Sequence, residues 1–268
     1  MVFILDLDRT IIGDCKYQSM RYSIQNLNKK TKGGISIPAA YKQGSKLIRP
    51  HFEYFINTMK SQFTWVEFFV YTMSEKNWGT QEIKWIEESL DINISRPIFT
   101  RDDCLYDSVS GNYYKSMTKI LPKIWKTLSH KATLTPDVKK AIIKKRIMII
   151  DDSSVYKDFN DHLLITPAYN YIAFEDILEG ISHINKNLLH SLANKDLVCP
   201  SIIQDTDDVI KRMSHRYTWL SQRCNQTIAN NCKYENDQFW KRLTNLIVKN
   251  KIQAFTPGVI KQLQDFIW

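Results

Sequence analysis

The stretch VFILDLDRT, residues 2–10, places four apolar residues directly before two carboxylates that a single residue separates. A short apolar run without interruption predicts a strand buried on both faces, as in the middle of a parallel sheet. Asp6 and Asp8 then lie where this strand leaves the sheet. Carboxylates in that position are either a solvated strand exit or part of a site.

Two further apolar runs along the chain predict strands, and the second of them also ends in two carboxylates, Asp151 and Asp152. WVEFFVYT (65–72) predicts a second strand, and IMII (147–150) predicts a third. Apolar residues at helical spacing separate these strands, and DSVSGN (107–112) predicts a hairpin loop. Strands that alternate with helices predict an α/β fold with a Rossmann-like, doubly wound parallel sheet. The predicted helices cover residues 50–62, 75–90 and 117–128.

Polar side chains follow each of the three predicted strands. Such sheets bind ligands beyond the carboxyl ends of their strands, so neighbouring strands would bring these side chains together. Four carboxylates in one place repel each other, and a divalent cation would neutralise them. A set of oxygen ligands favours Mg²⁺ over zinc. The side chains are Asp6 and Asp8, Thr72 and Ser74, and Asp151 and Asp152.

Composition restricts the class of protein. The 268 residues include 43% hydrophobic residues, enough for one sizeable core, and the formal net charge of +9 favours acidic partners. Five cysteines without a C-x-x-C pair argue against a disulfide framework and against a zinc site. No apolar run approaches the length of about 20 residues that spans a bilayer. The sequence predicts a soluble intracellular protein that does not bind a membrane, and it does not distinguish a nuclear from a cytoplasmic location.

Five motifs resemble those of a known group of enzymes. DLDRT matches the D-x-D-x-T nucleophile motif of the haloacid-dehalogenase superfamily of phosphatases. Four further motifs resemble the branch that dephosphorylates the C-terminal domain of RNA polymerase II, also described as nuclear-LIM-interactor-interacting-factor-like phosphatases. Their order and spacing agree over residues 2–180. They are RPH (49–51), YTMS (71–74), RDDC with GNYYK (101–104 and 111–115), and DDS (151–153).

The resemblance implies a role for each strand-end side chain. Asp6 would attack phosphorus and form an aspartyl-phosphate, while Asp8 would act as general acid and then as general base. Mg²⁺ would be held by Asp6, the backbone carbonyl of Asp8 and Asp152, with Asp151 assisting the metal or orienting Lys115. Thr72 would donate a hydrogen bond to the phosphoryl group, and Lys115 would supply positive charge.

We further predict four residues that bind the substrate, namely Thr10, Arg9, Ser74 and Arg101. Thr10 would in addition stabilise the loop of the DLDRT motif, residues 6–10, which we call the motif loop. Arg9 stands where the branch usually has Glu, and it either attracts an anionic substrate or points to solvent. Asp152 stands where Asn is frequent, and Asp is an equally good oxygen ligand.

The resemblance predicts a phosphatase domain over residues 1–182, with a small flap between Gly13 and Ser45. Beyond it, the pattern of apolar residues predicts a helical C-terminal extension over residues 183–268. Apolar residues at helical spacing favour extension helices that pack on the core or on each other. The alternative is a docking module for an acidic protein or nucleic acid, because residues 181–268 carry 12 Lys and Arg against 7 Asp and Glu. Its exposed aromatics would be Tyr217, Trp219 and Trp240. The predicted helices cover residues 181–192, 207–224, 237–250 and 257–268.

Together these observations predict a Mg²⁺-dependent phosphatase that acts through an aspartyl-phosphate on phosphoserine or phosphothreonine in proteins. The sequence between Asp6 and Thr72 holds no large cap insertion, which favours an open site that admits a peptide chain. Two alternatives stay open. One is a phosphatase of nucleic-acid ends, and the other is a catalytically silent scaffold or receptor of the same fold.

Overall fold

The structure is a computed structural model that describes residues 1–13, 46–129, 133–171 and 232–267. The chain divides into two compact units. The first contains Met1–Gly13, Ile48–Tyr169 and Asp237–Trp268, and the second contains Asp14–Leu47 and Asn170–Asn236. The predicted flap, the helices predicted over 181–192 and 207–224, Tyr217, Trp219 and the boundary predicted between residues 182 and 183 lie outside the described residues.

The first unit is built on a four-stranded parallel sheet. Its strands are β1 (Val2–Leu5), β2 (Glu67–Val70), β5 (Ile147–Asp151) and β6 (Leu163–Ile165), in the order β2-β1-β5-β6. The first three are buried along their whole length, as their apolar runs predict. The predicted α/β fold with a parallel sheet is therefore confirmed. The sequence did not predict β6, which has only three residues.

Four helices connect these strands, the first three at the predicted places and the fourth, α4, without a prediction from the sequence. They are α1 (Phe52–Gln62), α2 (Lys76–Leu90), α3 (Met117–Ser129) and α4 (Pro136–Lys145). Helix α1 begins two residues after the predicted start because His51 adopts a left-handed conformation with φ of 67°. Its apolar stripe, Phe52, Phe55, Ile56 and Met59, is buried.

A two-stranded hairpin precedes α3. Strands β3 (Leu105–Asp107) and β4 (Asn112–Tyr114) pair in antiparallel fashion, and the loop between them lies where DSVSGN predicted it. Gly111 has φ of 69° in this loop, a conformation that glycine adopts at little cost. Lys115 follows β4 directly and forms an isolated parallel bridge with Tyr156.

Two C-terminal helices, α5 (Phe239–Lys249) and α6 (Pro257–Ile267), belong to the same compact unit as the sheet. Trp240 of α5 is fully buried, with ring centroids 5.1 Å from Phe52 and 4.7 Å from Phe55. The suggestion that Trp240 offers an exposed ring to a partner is therefore wrong.

Helix α6 covers the edge strand β6. The Gln264 side chain accepts a hydrogen bond from the Ile165 amide at 2.7 Å and donates one to the Ile165 carbonyl at 2.8 Å. An edge strand otherwise presents unpaired backbone groups to solvent or to other chains. Among the described helices, none combines the length and the apolar character needed to cross a membrane.

Candidate active site

The register of the sheet aligns the strand ends that carry polar side chains. Strand β1 lies between β2 and β5, with Leu5 opposite both Val70 and Ile150. The Asp6 amide donates to the Ile150 carbonyl at 2.9 Å, so the chain leaves β1 beside the end of β5. The parallel arrangement thus brings all three strand ends to one edge of the sheet.

Lys115 links two of these strand ends. Its Nζ lies 2.6 Å from Oδ1 of Asp6 and 2.7 Å from Oδ2 of Asp151, and the lysine side chain is 1% exposed. Burial alone would lower the pKa of Lys115, but the charges of Asp151 and Asp6 outweigh burial and raise it well above its ordinary value. Lys115 is therefore a permanent buried cation.

One ammonium between two carboxylates leaves a negative charge in excess. Burial raises the pKa of Asp6 well above its ordinary value, and although Lys115 opposes this rise, the charges of Asp151 and Asp8 add to it. An additional positive charge at this place would hold Asp6 in its ionised form, which is the form that can attack phosphorus.

Asp152 joins Asp6 and Asp151 in a cluster of carboxylates. One oxygen from each of the three lies within 4.8 Å of the others. Burial raises the pKa of Asp152, and the Arg9 guanidinium opposes that rise. In their ionised form these three carboxylates exceed the two cations beside them, Lys115 and Arg9, by one negative charge. An all-oxygen cluster with this excess fits Mg²⁺.

The side chain of Asp8 has different neighbours. Its Oδ2 accepts hydrogen bonds from Ser74 Oγ at 2.6 Å and from Thr72 Oγ1 at 3.2 Å. Burial raises the pKa of Asp8, against the opposing effect of these two hydroxyl groups. The Asp8 carboxylate is not part of the cluster formed by the other three, and its raised pKa suits a group that carries a proton.

The loop after Asp8 is tightly wound. The Leu7 carbonyl accepts from the amides of Ile11 at 3.0 Å and Ile12 at 3.1 Å, and more weakly from that of Thr10 at 3.4 Å. The Thr10 side chain is fully buried, and its hydroxyl has no hydrogen-bond partner among the described residues. Thr10 thus lies inside the motif loop, within the wall of the site.

Arg9 is directed at the carboxylate cluster. Its Nη2 lies 2.8 Å from Oδ2 of Asp152, and its side chain is 45% exposed. The residue has φ of 62°, and its carbonyl accepts a hydrogen bond from the Tyr169 amide at 2.8 Å. The two sequence interpretations, a substrate contact or a solvated side chain, both left out this ion pair.

Arg101 lies at the rim of the site. Its amide donates to the Ser74 carbonyl at 3.0 Å, and its Nε donates to the Met73 carbonyl at 2.9 Å. These contacts fix the arginine beside the two hydroxyl groups that bind Asp8. Its guanidinium is partly exposed and lies 3.7 Å from Glu75.

Sequence reasoning missed the residues that hold Lys115 in place. The rings of Tyr71 and Tyr156 lie 5.7 and 5.6 Å from Nζ, and the Lys115 amide donates to the Val155 carbonyl at 3.0 Å.

Asp158 accepts hydrogen bonds from Ser116 Oγ at 2.8 Å and from the Met117 amide at 2.7 Å. Ser116, a residue type common before helices, was the available signal for a helix start, but nothing in the sequence indicated Asp158 as its partner.

Comparisons with known proteins give a family match. A model of the NLI interacting factor-like phosphatases matches residues 1–196. The sequence has no significant match among curated proteins.

Two solved structures are similar to the chain at low identity. One is a variant of the fission yeast RNA polymerase II CTD phosphatase Fcp1 bound to beryllium fluoride, with 14% identity and a TM-score of 0.36 over 99% of this chain. The other is Fcp1, described as an essential RNA polymerase II CTD phosphatase, with 15% identity and a TM-score of 0.38 over 97% of this chain. The chain spans 62% of the first structure and 69% of the second. Because the family match extends over residues 1–196 of 268, the chain belongs to the NLI interacting factor-like phosphatase family.

Proposed function

We propose that this protein is a Mg²⁺-dependent phosphatase that hydrolyses phosphoserine or phosphothreonine in proteins through an aspartyl-phosphate on Asp6. The observation that carries the proposal is the contrast between Asp6 and Asp8, two carboxylates with separate partners. Asp6 contacts a buried ammonium, and Asp8 accepts from two hydroxyl groups. Carboxylates held in different environments are suited to different roles in one reaction.

In the first step an oxygen of the Asp6 carboxylate attacks phosphorus, and the bond from phosphorus to the serine or threonine oxygen breaks. Asp8 gives its proton to that leaving oxygen. In the second step Asp8 takes a proton from water, whose oxygen attacks the phosphorus of the aspartyl-phosphate. Phosphate leaves and the Asp6 carboxylate is restored. The raised pKa of Asp8 supports its assignment as the proton donor.

Positive charges in the site offset the negative charge of the phosphoryl group and of the attacking carboxylate. Lys115 is fixed between Asp6 and Asp151, where its ammonium offsets the charge of the transferring group. Asp151 holds Lys115 in this position. Asp6, Asp152 and the Asp8 carbonyl would hold Mg²⁺, which would supply positive charge where two anions approach each other.

The remaining candidate residues lie around the carboxylates Asp6 and Asp8. Thr72 and Ser74 present hydroxyl groups at the end of β2, and Arg101 lies beside them with a partly exposed guanidinium. Thr10 lies within the motif loop. We assign Thr72, Ser74, Arg101 and Arg9 to the surface that receives the phosphorylated residue.

A protein substrate is supported by membership of the family and by the lack of a large cap insertion between Asp6 and Thr72. A sequence without a large insertion at this place favours an open site, which can admit a side chain that is still part of a polypeptide.

The test is phosphate release, with Mg²⁺ and with excess chelator, from phosphoserine peptides and from 3′-phosphorylated oligonucleotides. Each is compared for the unmodified protein, for Asp6→Asn, and for Asp137→Asn, an exposed carboxylate on α4 that serves as the matched control. We expect peptides to be hydrolysed faster, only with Mg²⁺, and not by Asp6→Asn.

The contrary outcomes separate the parts of the proposal. Faster release from oligonucleotides would retain the chemistry and replace the substrate class. An active Asp6→Asn variant would remove the nucleophile assignment. No release from either substrate with Mg²⁺ present would indicate a catalytically silent scaffold.

A further inference from the structure

The β3–β4 hairpin exposes a pair of aromatic rings next to the candidate active site. Tyr106 and Tyr113 are cross-strand partners, 59% and 38% exposed, with ring centroids 5.0 Å apart. The Arg101 guanidinium lies over the Tyr113 ring at 5.6 Å from its centroid. We call these three residues, Arg101, Tyr106 and Tyr113, the aromatic hairpin face. Exposed aromatic rings of this kind are more typical of binding surfaces than of solvated ones.

Two relationships place this face beside the site. Side chains two residues apart on a strand point to the same side, so Tyr113 shares its side of the chain with Lys115, whose ammonium contacts Asp6. Arg101 connects the face to the end of β2 through its hydrogen bond to the Met73 carbonyl, next to Ser74. The aromatic hairpin face therefore continues from the candidate active site.

The opposite side of the hairpin differs in character. There the cross-strand pair is Leu105 and Tyr114, and the Lys157 ammonium covers the Tyr114 ring at 3.6 Å from its centroid. This side provides an internal control, because Leu105 is 41% exposed but does not share the side of Lys115.

We propose that the aromatic hairpin face binds the part of a phosphorylated polypeptide that flanks its phosphorylated residue, by packing an apolar side chain of that polypeptide against Tyr106 and Tyr113. This inference rests on the proposed function and specifies its substrate. A strand advances about 3.3 Å per residue, and Tyr113 is two residues from Lys115. The apolar side chain consequently lies about two to four residues from the phosphorylated one.

The charges around the face favour a polypeptide over a nucleic acid. Tyrosine rings and arginine can also stack nucleobases. A nucleic acid, however, brings a phosphate at every nucleotide, and the carboxylate of Glu75 lies 3.7 Å from the Arg101 guanidinium, with exposed Asp102 next to Arg101 in the chain. One phosphate and an apolar neighbour match one cation and two rings better than a polyanion does.

The experiment compares the unmodified protein with the double variant Tyr106→Ala/Tyr113→Ala and with Leu105→Ala. Three substrates are used: a phosphoserine peptide with phenylalanine three residues from the phosphoserine, the same peptide with glycine there, and N-acetyl-O-phosphoserine amide, which has no flanking residues. We expect the double variant to lose about tenfold in kcat/KM for the phenylalanine peptide and less than about twofold for the amide. Leu105→Ala should change neither.

A second readout needs no turnover. The dissociation constant of the phenylalanine peptide, measured by fluorescence anisotropy in the Asp6→Asn background, should rise about tenfold with the double variant. Unchanged dissociation constants and unchanged kcat/KM for the phenylalanine peptide would overturn the inference. An equal fall for all three substrates would also overturn it, because the rings would then act on the reacting centre.

The outcomes separate this inference from the proposed function. If the unmodified protein hydrolyses phosphopeptides and the double variant does so equally well, only the inference about the hairpin fails. If the unmodified protein hydrolyses 3′-phosphorylated oligonucleotides alone, and the double variant slows that reaction, the face binds nucleobases and both proposals fail.

Discussion

Arg49 and Asp237, which are 188 residues apart in the chain, form a two-pronged ion pair with Nε to Oδ1 and Nη2 to Oδ2 both at 2.9 Å. The Arg49 side chain is 1% exposed. Its remaining nitrogen, Nη1, donates to Thr166 Oγ1 at 2.5 Å, and the Phe239 ring lies 4.4 Å from the guanidinium. This contact ties the start of α5 to the segment before α1.

The first prediction concerns this ion pair. Asp237→Ala leaves a buried guanidinium without its counter-charge, and we expect the free energy of unfolding to fall by about 3–5 kcal/mol. The double variant Arg49→Met/Asp237→Leu removes both charges and should lose clearly less. Urea unfolding of the two variants and the unmodified protein measures both effects. A double variant less stable than Asp237→Ala would contradict this account.

The second prediction concerns helices α5 and α6. Truncation after residue 236 removes Trp240 from its contacts with Phe52 and Phe55 and uncovers strand β6. We expect the truncated chain to be insoluble or to lack a cooperative thermal transition, because exposed core rings and an open edge strand promote aggregation. Circular dichroism and limited proteolysis test this. A truncated chain with an unchanged melting temperature would mean that the two helices are a separable module.

The sequence predicts those strands of the sheet that contain the longer apolar runs. Strands β1, β2 and β5 are apolar runs buried on both faces, and parallel strands necessarily bring their carboxyl ends to one edge. Strand β6 escaped prediction because its three residues are too few for a periodic pattern. Its edge is completed by Gln264, about a hundred residues further along the chain.

The partners inside the candidate site could not be predicted in the same way. Strand ends predict which side chains meet, but which pairs form depends on loop conformation. Arg9 reaches Asp152 because its own backbone is left-handed and its carbonyl is bound by the Tyr169 amide. The contact of Asp8 with Thr72 and Ser74 likewise depends on how the motif loop is wound after β1.

The third prediction concerns Asp158, whose carboxylate caps the N-terminus of α3. This helix begins two residues after Lys115 in the chain. Burial alone would raise the pKa of Asp158. Hydrogen bonds from Thr118, Ser116 and Met117 outweigh burial and hold this pKa below its ordinary value. A carboxyl group with a lowered pKa in the folded state stabilises the fold above its unfolded pKa of about 3.9 and loses this effect as pH falls.

Asp158→Ala should therefore cost about 1 kcal/mol at neutral pH, as expected for loss of a helix cap, and less below about pH 3.5. Chemical unfolding at a series of pH values measures the difference. Asp137→Ala, which removes an exposed carboxylate from the first turn of α4, is the control and should show little effect. A cost for Asp158→Ala that stays constant down to pH 2.5 would exclude the ionised cap.

The last prediction concerns the ion pair between Arg9 and Asp152, in which the guanidinium binds one of the two oxygens of a carboxylate in the candidate metal cluster. Arg9→Gln removes a positive charge beside the carboxylate cluster, so Mg²⁺ should bind about fivefold more tightly, since an ion pair with a half-exposed guanidinium contributes about 1 kcal/mol. Without Mg²⁺ the same variant should melt at a lower temperature, because Asp152 then lacks a counter-charge.

The measurements are titration calorimetry with Mg²⁺ and melting curves with and without the ion. Arg96→Gln is the matched control, because Arg96 is also about half exposed and pairs with a single carboxylate, that of Glu87, at 2.6 Å. That variant should leave the affinity for Mg²⁺ unchanged. If Arg9→Gln instead weakens Mg²⁺ binding, Arg9 orients Asp152 for the ion and does not compete with it, and the positive charge next to the motif loop then assists assembly of the metal site.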